Sequence, residues 1–564
     1  MKQREAGRKT VVFLCLSVSL FLLSVPFHAS SRPAAVVSAH PLATAAGMEI
    51  LDKGGNAFDA AVAVTATLAV VEPYSSGLGG GGFWLLHVSE DNRDVMIDGR
   101  ERAPLKASRN MYLDADGNVI PEASINGPLS AGIPGAPAAI EHLALNYGTL
   151  PLAVSLQPAI KHARNGFRTD EHYRRMAAFR EKALNTSEDA ARIFLKNNKA
   201  PAPGTLIVQP ELAATLSILA DEGARGFYHG ELASKLVASV VKHGGIWSMK
   251  DLAAYKVVER EPLTGEYRGM KVVSVPPPSS GGIALIQMLN MLESFDVHAM
   301  PEAERVHLLS EVMRRAYRDR AEFLGDSDYV DVPVDMLVSE AHALNLAATI
   351  EMNEATASDE LEPVRVDGTK GSDTTHFSII DAAGNRVAAT LSINYPFGSC
   401  FVAEGTGVLL NDEMDDFSSK PGEPNVYGLI GAEANAIEPG KRMLSSMTPA
   451  FLETEDRLAV LGTPGGSRII TMVLLAALEF YEGASTDDMV NRSRFHHQYL
   501  PDKIFHEPDA LSAAVLKSLF EAGHETEKLD STYGNMQAIV LNRKTGQVDA
   551  ASDYRGVGEA RVLH

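Results

Sequence analysis

Residues 372–393 read Ser-Asp-Thr-Thr-His-Phe-Ser-Ile-Ile-Asp-Ala-Ala-Gly-Asn-Arg-Val-Ala-Ala-Thr-Leu-Ser-Ile, and the architecture turns on how this stretch begins. Residues 375–380 predict a strand, 381–385 a turn and 387–393 the returning strand, so the stretch is a hairpin. What precedes it differs in kind. Residues 356–372 are rich in Asp, Glu, Gly, Lys and Pro with few apolar side chains, and read as an exposed linker. An acidic linker therefore stops at Asp373-Thr374-Thr375-His376, on the threshold of a strand. A chain cut before Thr374 would leave that residue a free α-amine beside its hydroxyl. A threonine hydroxyl needs an adjacent base to act as a nucleophile, and an α-amine, with a reference pKa of about 8, supplies one. The same residues also read as a plain Ser/Thr-rich strand entrance, and local sequence leaves both readings open.

Further along, residues 458–462 predict another strand, running through Thr463-Pro464-Gly465-Gly466-Ser467 into a helix over 468–481. A hairpin of 536–541 with 548–551 closes the chain. Upstream, residues 39–71 predict two helices broken at Gly54-Gly55-Asn56. The second, over 57–70, is apolar almost all round and so is expected to be buried. Gly77-Leu78-Gly79-Gly80-Gly81-Gly82 leads into a strand over 83–88. A turn at 90–92 and a strand over 95–98 complete a hairpin that ends at Gly99-Arg100-Glu101-Arg102. Residues 150–357 alternate amphipathic helices with polar loops. Their chief interruption is Val275-Pro276-Pro277-Pro278-Ser279-Ser280-Gly281-Gly282, a rigid loop before a helix over 283–292. No internal repeat is visible. Strands and helices on both sides of residue 373 predict an α+β layered body whose sheets draw on both halves.

The composition, 45% apolar and 22% charged over 564 residues, is that of a globular protein. Length alone suggests three or four domains, although large layered enzymes exceed that prior as one body. A formal charge of -21 argues against nucleic acid as a partner. Lys2, Arg4, Arg8 and Lys9 precede an apolar run over 11–27 with small residues around Ala29, the pattern of a cleaved export signal. The run nearly reaches the roughly 17 residues that span a bilayer, so an uncleaved anchor is the alternative. Cys15 lies in that segment, which leaves Cys400 alone in the mature chain and excludes an internal disulfide there. Residues 397–402 around it read as an apolar, strand-like stretch holding a buried, inert thiol. The glycines of 77–82 are not followed by Gly-Lys-Ser/Thr, so no phosphate loop is expected. His496 and His497 are adjacent rather than spaced as metal ligands, and read as a packed or hydrogen-bonded pair; no metal is expected.

Several motifs in fixed order resemble the gamma-glutamyltransferase (gamma-glutamyltranspeptidase) family of the N-terminal-nucleophile hydrolase superfamily. They are Gly54-Gly55-Asn56-Ala57, residues 98–104 and 276–282 upstream. Downstream come Asp373-Thr374-Thr375-His376-Phe377-Ser378, Ser392-Ile393-Asn394, Phe397-Gly398-Ser399 and the run from Leu409 to Ser418. Residues 421–427, Leu444-Ser445-Ser446-Met447, Pro464-Gly465-Gly466-Ser467-Arg468 and Arg494-Phe495-His496-His497-Gln498 follow. The resemblance covers nearly the whole mature chain. It implies a four-layer αββα sandwich whose sheets are built from both subunits. It also implies a signal peptide over 1–29, a large subunit over 30–373 and a small subunit over 374–564, after self-cleavage between Asp373 and Thr374. Export to the periplasm or the exterior follows from the signal.

Carried over residue by residue, the resemblance makes Thr374 the nucleophile, Gly465 and Gly466 the oxyanion N–H donors, and Ser392 the hydroxyl that hydrogen-bonds the nucleophile. Ser392 stands where many relatives carry threonine. Arg100, Ser445 and Ser446 would take the α-carboxylate of a γ-glutamyl donor, and Asn394, Glu413 and Asp416 its α-ammonium. Without the resemblance, 413–416 would read as a solvated turn and Arg100 as a surface ion-pair partner. Gly99 departs from the aromatic residue that bacterial relatives often carry before this arginine. Residues 421–431, with Tyr427, resemble a lid loop. The implied donors are glutathione and other γ-glutamyl amides, and the acceptors amino acids, dipeptides or water. The implied partner is the other fragment of the same chain in a heterodimer, with no cofactor. Two rivals remain: an acylase of the same architecture acting on glutaryl-type amides, which would not need the ammonium acceptors, and an exported binding protein that no longer cuts itself.

Overall fold

A computed structural model describes residues 33–361, 374–420 and 422–563. The expected signal over 1–29, Asp373 and the bond before Thr374 lie outside the described residues. Two sheets dominate. The first runs, edge to edge, Glu559–Leu563, Ala34–Ser38, Thr375–Ile380, Arg386–Ser392, Gly81–Val88, Arg93–Gly99 and Val258–Arg260. The second runs Val548–Ser552, Gln537–Asn542, Arg457–Gly462, Ala450–Glu453, Met270–Ser274 and Leu263–Tyr267. Both take strands from either side of Thr374, as the sequence pattern requires of an α+β body.

The period-2 alternation of the strands decides what each face meets. Phe83 and Leu85 point with Val37, Ile380 and Ala388 into a dry layer shared with Val273, Phe451, Val460 and Ile539 of the second sheet. Their neighbours Trp84 and Leu86 face the other way, with Phe377, Ile379 and Val387, onto the helix Ala57–Val71 and its companions. On the far side, Val272, Leu452, Leu461 and Val540 pack on the helices Gly281–Leu292, Glu302–Phe323 and Ile469–Tyr481. The helix Ala57–Val71 is buried along its whole length, as its all-apolar face predicts. Asn56 caps it in a reciprocal capping box with Asp59, and the Asp381 carboxylate in the hairpin turn accepts the Ala57 N–H at 2.9 Å.

The glycine-rich run over 77–82 packs backbone on backbone. A Cβ on Gly80 would meet the Ser392 carbonyl oxygen at 2.2 Å, and Gly81 pairs with Ser392 in the sheet. Small residues here let the strand that ends at Ser392 lie flush against its neighbour.

Four local expectations are corrected. The strands Val258–Arg260, Leu263–Tyr267 and Met270–Ser274 lie in a region read as helices and loops; their short runs are broken by charged residues that face solvent at a sheet edge. The hairpin ending at Ser552 does not close the chain, because Glu559–Leu563 continues it as an edge strand on Ala34–Ser38. Residues 397–402 are not a strand. Phe397, Gly398 and Cys400 have φ of 59°, 51° and 54° and form a tight turn, and the Cys400 thiol, buried, takes an N–H from Arg180 at 3.2 Å. The linker is not exposed at its start. Ser358 is buried, its hydroxyl donating to the Tyr499 carbonyl and its N–H to Asp502. Among the described residues, no helix is long and apolar enough to cross a membrane.

Candidate active site

The hairpin strand Thr375–Ile380 emerges beside Arg386–Ser392, so Thr374 sits where Ser392 and Asn394 leave the neighbouring strand. Asn394 holds a left-handed backbone, φ 74°, a conformation that asparagine tolerates better than most residues. Its N–H donates to the Ser392 Oγ at 2.7 Å and its amide to the Asp412 carbonyl at 3.1 Å. The sharp turn carries the chain past Thr374 toward the short helical turn Glu413–Asp416.

One cavity brings together Thr374, Ser392, Asn394, Arg100, Glu413, Asp416, Tyr427, Ser445, Ser446 and Gly466. Ten of the positions named by sequence therefore converge, from seven separate stretches on both sides of residue 373. Gly465 adjoins Gly466, and Asp373 lies outside the described residues. Arg100 is 1% exposed, not a surface residue, and 413–416 is a buried turn rather than a solvated one. The Arg100 guanidinium reaches Glu413 at 2.6 Å and Asp416 at 2.5 Å, with Glu101 at 3.6 Å. Its backbone is fixed by Asp98, which accepts its N–H at 2.9 Å, and by the Tyr255 hydroxyl, which donates to its carbonyl at 2.8 Å. Gly99 is explained by close packing: a Cβ there would meet the Trp84 ring at 2.7 Å. The indole of Trp84 occupies the space that an aromatic side chain before the arginine would need.

Three carboxylates around one guanidinium leave an excess of negative charge. Burial pushes Glu413 up to about 7 despite Arg100, and raises Asp416. Burial, reinforced by Glu413, holds Glu101 well above the ordinary carboxylate range. The cavity can thus take up a cation by losing protons, and Arg100 can exchange a carboxylate of the protein for one brought by a ligand.

Tyr427 lines the cavity. Its hydroxyl donates to the Asn394 carbonyl at 2.8 Å, and its loop is held where the Val426 N–H donates to Asp415 at 2.9 Å. The ring lies on Gly466, where a Cβ would meet it at 2.6 Å. Gly465 and Gly466, with φ of 149° and 55°, adopt conformations that side chains rarely allow, in the turn between the strand Arg457–Gly462 and the helix Ile469–Tyr481.

Thr374 also lines a second, roomier cavity of about 490 Å³ with Glu72, His172, Arg175, Pro464, Arg468, Tyr533 and Arg555. Sequence reading did not find this side. Glu72 ends an apolar helix and receives the Thr375 hydroxyl at 2.6 Å; burial lifts its pKa to about 8. The signal was an acid directly after twelve apolar or small residues, 60–71, which reads as a helix end. His376, next to the nucleophile position, is a packed neutral histidine bonded to Thr390 at 2.8 Å, held by burial at about 3. His496 bonds Thr471 and Gln498, and His497 bonds Asp502. Among the described residues, no cluster of side chains is arranged to hold a metal.

Comparison with known proteins places this geometry. The gamma-glutamyltranspeptidase profile matches residues 43–563. A cephalosporin acylase from Bacillus halodurans superposes with a TM-score of 0.82 at 25% identity, covering 96% of this chain and 99% of that one. The gamma-glutamyltranspeptidase of Helicobacter pylori superposes with a TM-score of 0.57 at 41% identity, over 58% of this chain and 94% of that one. In sequence, the glutathione hydrolase proenzyme of Escherichia coli (strain K12) is 42% identical over 529 residues, 93% of this chain and 90% of that protein. Fold and site thus define an acyl-transferring enzyme of the N-terminal-nucleophile class. The chain belongs to the gamma-glutamyltranspeptidase family.

Proposed function

We propose that the chain is a precursor that cuts itself before Thr374 and then works as a gamma-glutamyltransferase and glutathione hydrolase. The observation that carries this reading is the single cavity in which a threonine, a buried arginine and two carboxylates meet. In self-cleavage, the Thr374 hydroxyl adds to the Asp373 carbonyl and the C–N bond breaks, which frees the Thr374 α-amine and leaves an ester; water then opens the ester, releasing the Thr374 hydroxyl and the Asp373 carboxylate. In turnover, that amine takes the proton of the hydroxyl as it attacks a γ-glutamyl amide. The tetrahedral oxyanion is met by the N–H groups of Gly465 and Gly466, and collapse expels the amine. Water or an acceptor amine then attacks the γ-glutamyl-threonine ester.

Arg100, Ser445 and Ser446 take the donor's α-carboxylate, and Asn394, Glu413 and Asp416 its α-ammonium. The larger cavity on the other side of Thr374 suits the leaving peptide and the acceptor, and the cation of Arg468 there matches their carboxylate. Similarity to a glutathione hydrolase proenzyme supports both glutathione as donor and self-processing. The fold reads as a four-layer αββα sandwich. After the cut, residues 30–373 and 374–564 stay together as a heterodimer because each sheet needs strands from both. Residues 1–29 act as an export signal, to the periplasm or beyond.

Likeness to a cephalosporin acylase favours a second reading, an acylase for amides whose acyl group lacks the ammonium. Glu413 and Asp416 favour the first, since an ammonium-free acyl group leaves both carboxylates without a cationic ligand. Turnover of a chromogenic γ-glutamyl anilide, with and without glycylglycine, is set against a glutaryl anilide. Acceptor-stimulated release from the first alone supports the proposal; preference for the glutaryl compound overturns it.

A further inference from the structure

Arg320 lies near the end of the helix Glu302–Phe323 and is 5% exposed. Its Nε donates to the Ser280 Oγ at 3.0 Å and its Nη2 to the Ser446 Oγ at 3.2 Å. The described residues place no carboxylate in ion-pair contact with it; the acid that acts on it, Asp416, is itself paired to Arg100 at 2.5 Å. A buried guanidinium held only by two hydroxyls is costly unless something else compensates its charge. In the sequence it stands beside Arg314, Arg315 and Arg318 on one long helix, with no pattern to single it out.

The polarity of these bonds has a chemical consequence. Arginine only donates, so the oxygens of Ser280 and Ser446 must both accept from it. Ser280 then passes its own proton on, donating to the Ser445 carbonyl at 2.7 Å, while its N–H meets the same carbonyl at 2.8 Å. Ser279 donates to the Met447 carbonyl at 2.7 Å, and the Pro278 carbonyl accepts the Ser445 N–H at 2.9 Å. The loop over 276–282 thus clamps the segment that carries the two serines. Ser446, accepting from Arg320, must turn its O–H away from the guanidinium. That leaves its proton for an acceptor in the cavity that Ser446 lines with Arg100.

We infer that Arg320 is a positioning residue for the donor's α-carboxylate, which fixes the Ser446 hydroxyl as a hydrogen-bond donor and places a second positive charge behind it. The inference rests on the reading of that cavity given above. The carboxylate is then held by two cations of different kind. Arg100 meets it directly and must give up part of its pairing with Glu413 and Asp416. Arg320 acts through one hydroxyl and gives up nothing.

The test is a double-mutant cycle of Arg320→Lys with Ser446→Ala, read as KM and kcat for two chromogenic donors. One is the γ-glutamyl anilide, and the other its α-carboxamide analogue, which lacks the charge. Lysine keeps the cation but cannot reach both hydroxyls. Expected for Arg320→Lys is a rise in KM of about tenfold for the carboxylate donor, the worth of one hydrogen bond to a charged group, with kcat nearly unchanged. For the carboxamide donor, or when added to Ser446→Ala, the rise stays below about twofold, because the group through which Arg320 acts is missing. An equal rise with both donors, an equal rise in the Ser446→Ala background, or no rise overturns the inference. If Ser446→Ala by itself leaves KM for the carboxylate donor unchanged, the reading of the cavity fails instead. Should Arg320→Lys fail to yield two fragments on a denaturing gel, Ser280→Ala replaces it. That variant removes one of the two oxygens anchoring the guanidinium, and the expected carboxylate-selective rise is about threefold.

Discussion

Gly466→Ala is the substitution whose consequence the structure defines most closely. Alanine at φ 55° carries the left-handed penalty of about 1–2 kcal/mol. Its Cβ would also stand 2.6 Å from the Tyr427 ring, so the ring must move. Moving it breaks the 2.8 Å hydrogen bond from the Tyr427 hydroxyl to the Asn394 carbonyl, worth about 1 kcal/mol. Together these come to about 2–3 kcal/mol, or about a 30- to 150-fold fall in kcat/KM at about 1.4 kcal/mol per tenfold. Outright loss of an oxyanion donor costs about 100- to 1,000-fold, so the expected fall sits at the lower edge of that range, as suits a donor displaced rather than deleted. The assay is γ-glutamyl anilide turnover on protein first shown to be cut into two fragments. Tyr427→Ala is the partner mutation. Without the ring, Gly466→Ala should cost only its backbone share, leaving about 1 kcal/mol of coupling between the two sites. Strict additivity, within about 0.5 kcal/mol, would show that the ring does not lie on this glycine in the working enzyme.

Thr374→Ala should give one uncut chain without activity on a denaturing gel, and cleavage of that variant at the same bond would contradict the proposed chemistry. Glu413, lifted by burial from 4.5 to about 7, binds a proton in the folded state where the unfolded chain has lost it. Stability should therefore fall as pH rises from about 4.5 to 7, while KM for an ammonium-bearing donor should fall through about 7 as the carboxylate ionises. Glu413→Gln should flatten both profiles; a KM profile unchanged by that substitution counts against its role. Cys400, pushed up to about 11 by burial, should resist a thiol reagent in native Cys15→Ser protein and react at once in denaturant. Rapid native labelling would show that the turn over 397–402 opens.

Much of the fold was legible because its signals are local. The hairpin from Thr375 to Ser392, the buried helix after Asn56 and the strand-turn-helix through Gly465 each announce themselves by periodicity and turn residues. Charge, cysteine usage and the order of motifs followed from the sequence in the same way. What it could not decide is which polar groups are buried together. Glu413-Met414-Asp415-Asp416 and Arg100, more than three hundred positions apart, look like surface charge until the fold brings them onto each other, and Glu72, Arg320 and Arg468 carry no pattern to set them apart from helix ends and solvated faces. The edge strand Glu559–Leu563 likewise acquires its identity only from Ala34–Ser38. Secondary structure follows from side chains near in sequence, whereas burial, and with it the charge state and reach of each ionisable group, depends on neighbours that only the tertiary fold supplies.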